Sequence, residues 1–173
     1  QDEPIADWVC VPLYYVSKLL RDSGTIVVQV GEGADEIFCG YPGYMAFLRS
    51  YRRYYARYMK LPGAMRRAAH GVWRGLGLDG RGSEFIGEAL RLGAENQELF
   101  WGGAVMYKGW RKNRILAAPE RFAGYDSYAL VAEQLCRFDD LRPGADILDR
   151  MIYLELKIRL AELLLMRVDK ITM

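Results

Sequence analysis

The spacing of apolar and polar positions changes several times along the chain. "VPLYYVSKLLRDSG" (11–24) puts apolar residues at 13, 16, 19 and 20, the spacing of a helix, with Gly24 as its stop. "TIVVQV" (25–30) follows, five of its six residues β-branched and only Gln29 different. Such a run predicts a strand covered on both faces, as in a parallel sheet. "DEIFCGYPGYMAFLRSYRRYYARYMKL" (35–61) predicts a helix interrupted near Gly40–Gly43 and ending before Pro62. Residues 64–76 predict a second, basic helix, and "GLGLDGRGS" (75–83) a loop whose Ser83 caps a helix over 84–92. Further helices are predicted near 95–107 and 126–138. "RPGAD" (142–146) is a turn, with Asp146 capping "ILDRMIYLELKIRL", and "AELLLMRVDKITM" (161–173) closes the chain. Within 173 residues only one strand is predicted, and a lone strand leaves a row of backbone donors and acceptors unpaired. Its partners are expected from sequence outside this stretch. The start at Gln1 and the end on an uncapped periodic segment carry the same expectation, that of a piece of a larger domain.

Composition narrows the classes. About half the residues are hydrophobic and 27% charged, as in ordinary globular domains. No run reaches the roughly 18 apolar residues of a membrane span, and no secretory signal pattern is present. A cytoplasmic location is expected. Cys10, Cys39 and Cys136 are widely spaced and form no Cys-x-x-Cys, which predicts buried free thiols; with His70 as the single histidine, a structural zinc site is not expected. The net charge of +2 gives no strong attraction to polyanions. Locally, though, "RSYRRYYARYMK" (49–60) alternates arginines with tyrosines. It reads either as a nucleic-acid surface or as an amphipathic helix with tyrosines inside, and the second reading is preferred, with no nucleic-acid partner. "FWGGAVMYKGWRKN" (100–113) offers Trp101, Tyr107 and Trp110 as core residues or as interface anchors.

The candidate chemistry lies just past the strand. In "GEGADE" (31–36), glycines flank Glu32, and Asp35 and Glu36 open the next helix. Ligands bind beyond the carboxyl ends of strands in open α/β sheets, glycines let the backbone approach them, and a helix start favours anions. Three carboxylates would repel a phosphate unless a cation lies between, and Mg²⁺ is held by one or two carboxylates plus substrate phosphates. The plain alternative is a glycine turn with acids placed for the helix dipole.

Three separated motifs, "DEPIAD" (2–7), "VGEGADEIFCGY" (30–41) and "LAELLLMRVDKITM" (160–173), together resemble the synthetase domain of the asparagine synthase family. The order matches, as does the spacing from the first motif to the second. The resemblance covers about 60 residues at the two ends and leaves the middle hundred without a motif. It implies a fold mostly α with one short buried-type strand, a partial α/β domain of the adenine-nucleotide hydrolase type with a parallel sheet, spanning 1–173. The family's pyrophosphate loop and glutaminase domain are not in this sequence. The implied activity is ATP- and Mg²⁺-dependent adenylation of a carboxylate, aspartate in the type reaction. Ammonia from the glutaminase domain of the same polypeptide then forms the amide.

By the same resemblance, Glu32 matches the acid beside the acyl-adenylate, and Asp35 the acid near Mg²⁺ and pyrophosphate. Gly31 and Gly33 shape the loop against the nucleotide. Arg167, Asp169 and Lys170 match the late cluster on the phosphate side; their plain alternative is a charge pair on a helix end. Two departures stand out: Val30 replaces the usual serine, and "WVC" (8–10) replaces small polar residues. Both lie where the acceptor is expected, and both leave open a sugar acid of surface-polysaccharide assembly as the acceptor. Made alone, such a piece is expected to self-associate through its sheet-facing surfaces as an artefact of truncation; for the intact protein a homodimer is the expected assembly.

Overall fold

The computed structural model describes residues 7–78, 84–105, 112 and 115–173. Most of "DEPIAD", together with Ser83, Tyr107 and Trp110, lies outside the described residues. Helix α1 (Cys10–Asp22) ends as its spacing predicts. The Thr25 amide donates to the Leu20 carbonyl at 3.0 Å, the Gly24 amide donates to Arg21 at 3.0 Å, and Gly24 takes φ +78°. After a connection without regular structure come α2 (Ala34–Phe38) and α3 (Pro42–Ser50). The break between them falls where the glycines predict it, and Pro42 sits in the first turn of α3, where its missing amide hydrogen costs nothing. α3 runs on through a π-helical stretch, Tyr51–Tyr55, into Ala56–Tyr58. Helices α4 (Gly63–Gly75) and α5 (Glu84–Ala94) pack against each other. α6 (Tyr128–Leu141) packs on α7 (Ile147–Leu154). α7 continues through a π-helical segment, Glu155–Leu165, into α8 (Met166–Thr172), which carries α1 on its surface.

The expected strand is the main correction. Residues 25–30 form no strand, and neither a strand nor a sheet occurs among the described residues. Ile26 is 96% and Val27 80% exposed, so the segment is not buried either. β-branched residues fit a pleated surface but do not create one; a strand exists only when a neighbour supplies the ladder hydrogen bonds. The fold described is therefore helical, not a parallel sheet with helices on its faces.

The core gathers α3, α6, α7 and the 99–101 segment around Leu92, Leu99, Met151 and Leu154. Burying Met151 and Leu154 completely is worth about 2–3 kcal/mol each. Trp101 is part of this core, its indole N–H donating to the Glu98 carbonyl at 2.8 Å. The helix predicted over 95–107 does not form in its described part. Asn96 adopts φ +59° and closes α5, with the Gln97 amide donating to Leu92 at 2.8 Å, and the next residues turn inward as an irregular plug.

In the Arg/Tyr segment Tyr55 is buried and Tyr51 and Tyr58 pack against the core, while Arg52, Arg53 and Arg57 stay exposed. Tyr54 breaks the pattern by facing solvent, under the Arg53 guanidinium at 5.5 Å. Burial, with Glu98 nearby, raises the Tyr51 and Tyr55 hydroxyls far above the ordinary range, so both stay protonated donors. The three cysteines are free, but none is buried as expected: Cys10 and Cys39 are partly exposed and Cys136 is exposed.

Asp146 caps α7, its carboxylate accepting from the Leu148 amide at 2.8 Å and the Asp149 amide at 3.1 Å. The Asp149 amide, with smaller help from Leu148 and Arg52, holds this carboxyl below its ordinary pKa. A depressed acid stabilises the fold above its unfolded pKa, and the contribution disappears as pH falls through the folded value. Asp146→Ala is expected to lower the unfolding free energy by about 1 kcal/mol at neutral pH. Urea titrations should show that difference vanishing well below about pH 4; an equal loss in acid would mean that the charged cap is not its source.

Candidate functional site

The acidic loop is built by two left-handed residues. Gly33, at φ +92°, turns the chain into α2, and Cys39, at φ +51°, turns it out again. The Ile37 amide donates to the Gly33 carbonyl at 3.0 Å and the Gly40 amide to the Asp35 carbonyl at 2.9 Å. Gly33 is buried against the late motif, where an added Cβ would lie 3.2 Å from both Leu160 methyls. Gly31 is exposed with open space around its Cα, so close packing does not demand a glycine there. Asp35 is exposed. Its Oδ1 fills the place a side chain at Gly40 would take, 2.1 Å from an added Cβ.

Arg167 joins the three motifs. It is only 5% exposed, donating through Nη1 to the Asp7 carboxylate and through Nη2 to Glu32 Oε1 at 3.2 Å. Asp7 ends the first motif, Glu32 stands between the glycines of the second, and Arg167 lies in the third. A buried guanidinium needs carboxylate partners to offset its lost hydration, and here the partners are 160 and 135 residues away in sequence. The plain alternative, a charge pair along the helix end, is not what engages Arg167. Asp169 and Lys170 are exposed on α8, and Asp169 lines a shallow hollow of about 400 Å³ with Leu165, Met166, Val168 and Thr172.

Beneath the loop lies a second ionic cluster. Glu36 is 1% exposed and accepts from the Tyr41 hydroxyl at 2.5 Å; Arg159 Nε lies 3.7 Å from the same carboxylate. The Arg159 guanidinium covers the Tyr41 ring at 4.1 Å, and its Nη1 donates to the Tyr44 hydroxyl at 3.0 Å. Glu155, 0% exposed, accepts from the Tyr44 hydroxyl and the Gly103 amide, with Arg159 at 3.5 Å. Burial, then the hydrogen bond to Glu36, pushes the Tyr41 hydroxyl up to about 12, so it remains a donor at neutral pH. Burial and the nearby Glu155 raise the Cys39 thiol, keeping it protonated.

Sequence reasoning placed Glu36 beside Asp35 at the mouth of the loop; the structure separates them, one inward and one outward. Arg159, Glu155 and Tyr44 were not singled out at all. The one available signal was the i,i+4 spacing of Glu155 and Arg159 next to the late motif. A larger cleft of about 840 Å³, with Arg74, Arg91, Lys112 and Tyr125 on its walls, contains no residue of the acidic loop. Neither Glu32 nor Asp35 lines either cavity.

Arg167→Met would leave the Asp7 and Glu32 carboxylates facing each other without their cation. It is expected to cost about 3 kcal/mol of stability, the lower end for a broken buried pair because water reaches part of both acids. Arg167→Lys should recover part of this by restoring the charge without the two-pronged geometry. Denaturant unfolding checks both, and a loss below about 0.5 kcal/mol for the methionine variant would show the pairing to be surface-like.

Comparison with known proteins agrees with this convergence of motifs. The family description asparagine synthase matches residues 1–173. A Methanocaldococcus jannaschii protein provisionally named glutamine-hydrolyzing asparagine synthetase 2 is 33% identical over 123 residues, covering 66% of this chain and 23% of the relative. A Mycobacterium bovis protein provisionally named glutamine-hydrolyzing asparagine synthetase is 30% identical over 175 residues, 99% of this chain and 24% of its own length. The Bacillus subtilis glutamine-hydrolyzing asparagine synthetase 1 is 48% identical over 40 residues, 23% of this chain and 6% of the relative. No solved structure matches. The chain spans about a quarter of the length of the first two of these relatives. With the family description covering every residue, the chain belongs to the asparagine synthase family.

Proposed function

We propose that this chain is part of an ATP-dependent amidotransferase. That enzyme adenylates a carboxylate and forms an amide with ammonia delivered by a glutaminase domain of the same polypeptide. The observation that carries the reading is the meeting of Asp7, Glu32 and Arg167 from three motifs far apart in sequence. Folding alone does not require a buried arginine to draw two carboxylates to the edge of a glycine turn. In this reading Glu32 borders the acyl-adenylate and assists the attacking ammonia. Arg167 sets its direction through the contact at 3.2 Å, and Asp169 and Lys170 lie toward the phosphates. Gly31 and Gly33 let the loop approach the nucleotide. The proposed compartment is the cytoplasm. No helix among the described residues is long and apolar enough to cross a membrane, and the reaction involves neither membrane nor nucleic acid.

Asp35 is the proposed metal ligand. Among the described residues no group of three or more His, Cys, Asp or Glu is placed to hold a metal ion. A single exposed carboxylate fits a cation that arrives with a polyphosphate, as Mg²⁺ does. Bound in that way, the ion would neutralise charge on the departing pyrophosphate.

Val30 and Trp8, apolar residues adjoining the Arg167 pairing at Gly31–Glu32 and at Asp7, leave a sugar acid open as the alternative acceptor to aspartate. Carboxylate-dependent ATP–pyrophosphate exchange across amino acids and sugar acids identifies the acceptor in the complete synthetase. In that enzyme Glu32→Gln should retain measurable exchange while amide formation falls about 100-fold, the scale of a lost general base. Unchanged amide turnover removes Glu32 from its role. An absence of exchange with every acid would sink the reading.

A further inference from the structure

The exposed Asp35 owes its direction to neighbours that take no part in the proposed chemistry. At five residues α2 is too short to hold its shape alone, so tertiary contacts must orient it. Two such contacts act on the turn that carries Asp35. From the flank, the carboxylate lies over Gly40: a Cβ added there would meet Asp35 Oδ1 at 2.1 Å, Cγ at 3.1 Å and Cα at 3.3 Å. Gly40 is not among the residues of positive φ, so the space taken by the Asp35 side chain, rather than backbone conformation, favours glycine there. From beneath, Glu36 is locked inward by the Tyr41 hydroxyl at 2.5 Å and faces Arg159 at 3.7 Å. Successive side chains on a helix point about 100° apart, so pinning residue 36 inward turns residue 35 outward.

We propose that Gly40 and the buried Glu36–Arg159 pair are positioning elements that set where Asp35 presents its carboxylate to a divalent cation carrying a polyphosphate. This rests on the assignment of Asp35 made under Proposed function. A methyl group at residue 40 forces the Asp35 carboxylate to rotate away. Neutralising Glu36 removes one of the charges facing Arg159, which keeps Glu155 and the Tyr44 hydroxyl, and loosens the inward seating of α2 while the side-chain volume stays the same.

The test uses the complete synthetase with Gly40→Ala, Glu36→Gln and, as a control, Gly43→Ala, whose added Cβ meets nothing within 4 Å. Three quantities are measured: the metal concentration for half-maximal ATP–pyrophosphate exchange, binding of the Mn²⁺–ATP complex by electron paramagnetic resonance, and the thermal midpoint. Both test variants should need about tenfold more metal and bind Mn²⁺–ATP about tenfold more weakly, with exchange recovering at excess metal. The control should match the wild type. Wild-type metal dependence in both variants overturns the proposal. So does a loss that excess metal does not restore and that tracks a fall in thermal midpoint, which marks a structural role only. If Gly40→Ala does not fold, Glu36→Gln, which keeps the volume, decides alone. Exchange by the wild type with indifferent variants sinks this inference and spares the functional reading; a wild type that neither exchanges nor binds Mn²⁺–ATP sinks both.

Discussion

Arg167 spans nearly the whole chain: its two terminal nitrogens hold Asp7 and Glu32, which enter from segments that share no other described hydrogen bond. A guanidinium this buried is unfavourable by itself, because its hydration is lost and must be replaced by charged hydrogen bonds. The arrangement is therefore mutually dependent. The arginine needs both acids, and the acids are drawn to one place by the arginine. The seating of Gly33 on Leu160 follows from the same meeting of segments, as does the packing of α1 along α8.

The acidic loop divides its carboxylates by burial. Glu36 and Glu155 are sealed from water and share one guanidinium, with two tyrosine hydroxyls and one amide completing their hydrogen bonds. Asp35 remains in solvent, and Glu32, also at the surface, has its carboxylate paired with Arg167 and its side chain 25% exposed. Three acids within five residues thus have three environments. An inward acid anchors, a paired acid is held in place by Arg167, and an outward acid stays in solvent. The separation follows from helical geometry, since one short turn points successive side chains in different directions.

Long-range ion pairs and tyrosine hydrogen bonds carry much of the fold around this loop. Glu98 shows the same logic elsewhere in the core. Burial raises its pKa, and hydrogen bonds from the Leu99 amide and the Tyr51 hydroxyl, with Arg150 nearby, offset part of that effect. The tyrosines of the Arg/Tyr segment are thus structural donors, directed at Glu98, at the Gln97 carbonyl and at the α4–α5 pair.

The sequence by itself determined the local elements and the family. Gly24 stops α1, Pro42 restarts the helix after Gly40, Asp146 opens α7, and the order of the three motifs points to asparagine synthase. These features depend on nearby residues or on a residue pattern, so they can be read without coordinates. The structure alone decided whatever depends on a partner distant in sequence. It denied "TIVVQV" a strand, because no neighbour among the described residues supplies a ladder, and it ended α5 at Ala94, turning the chain at Asn96 so that 99–101 could enter the core. It also turned Glu36 inward toward Arg159, 123 positions further along the chain, and Arg167 toward Asp7 and Glu32. β-propensity and charge are properties of single residues, whereas pairing and burial belong to two segments brought together.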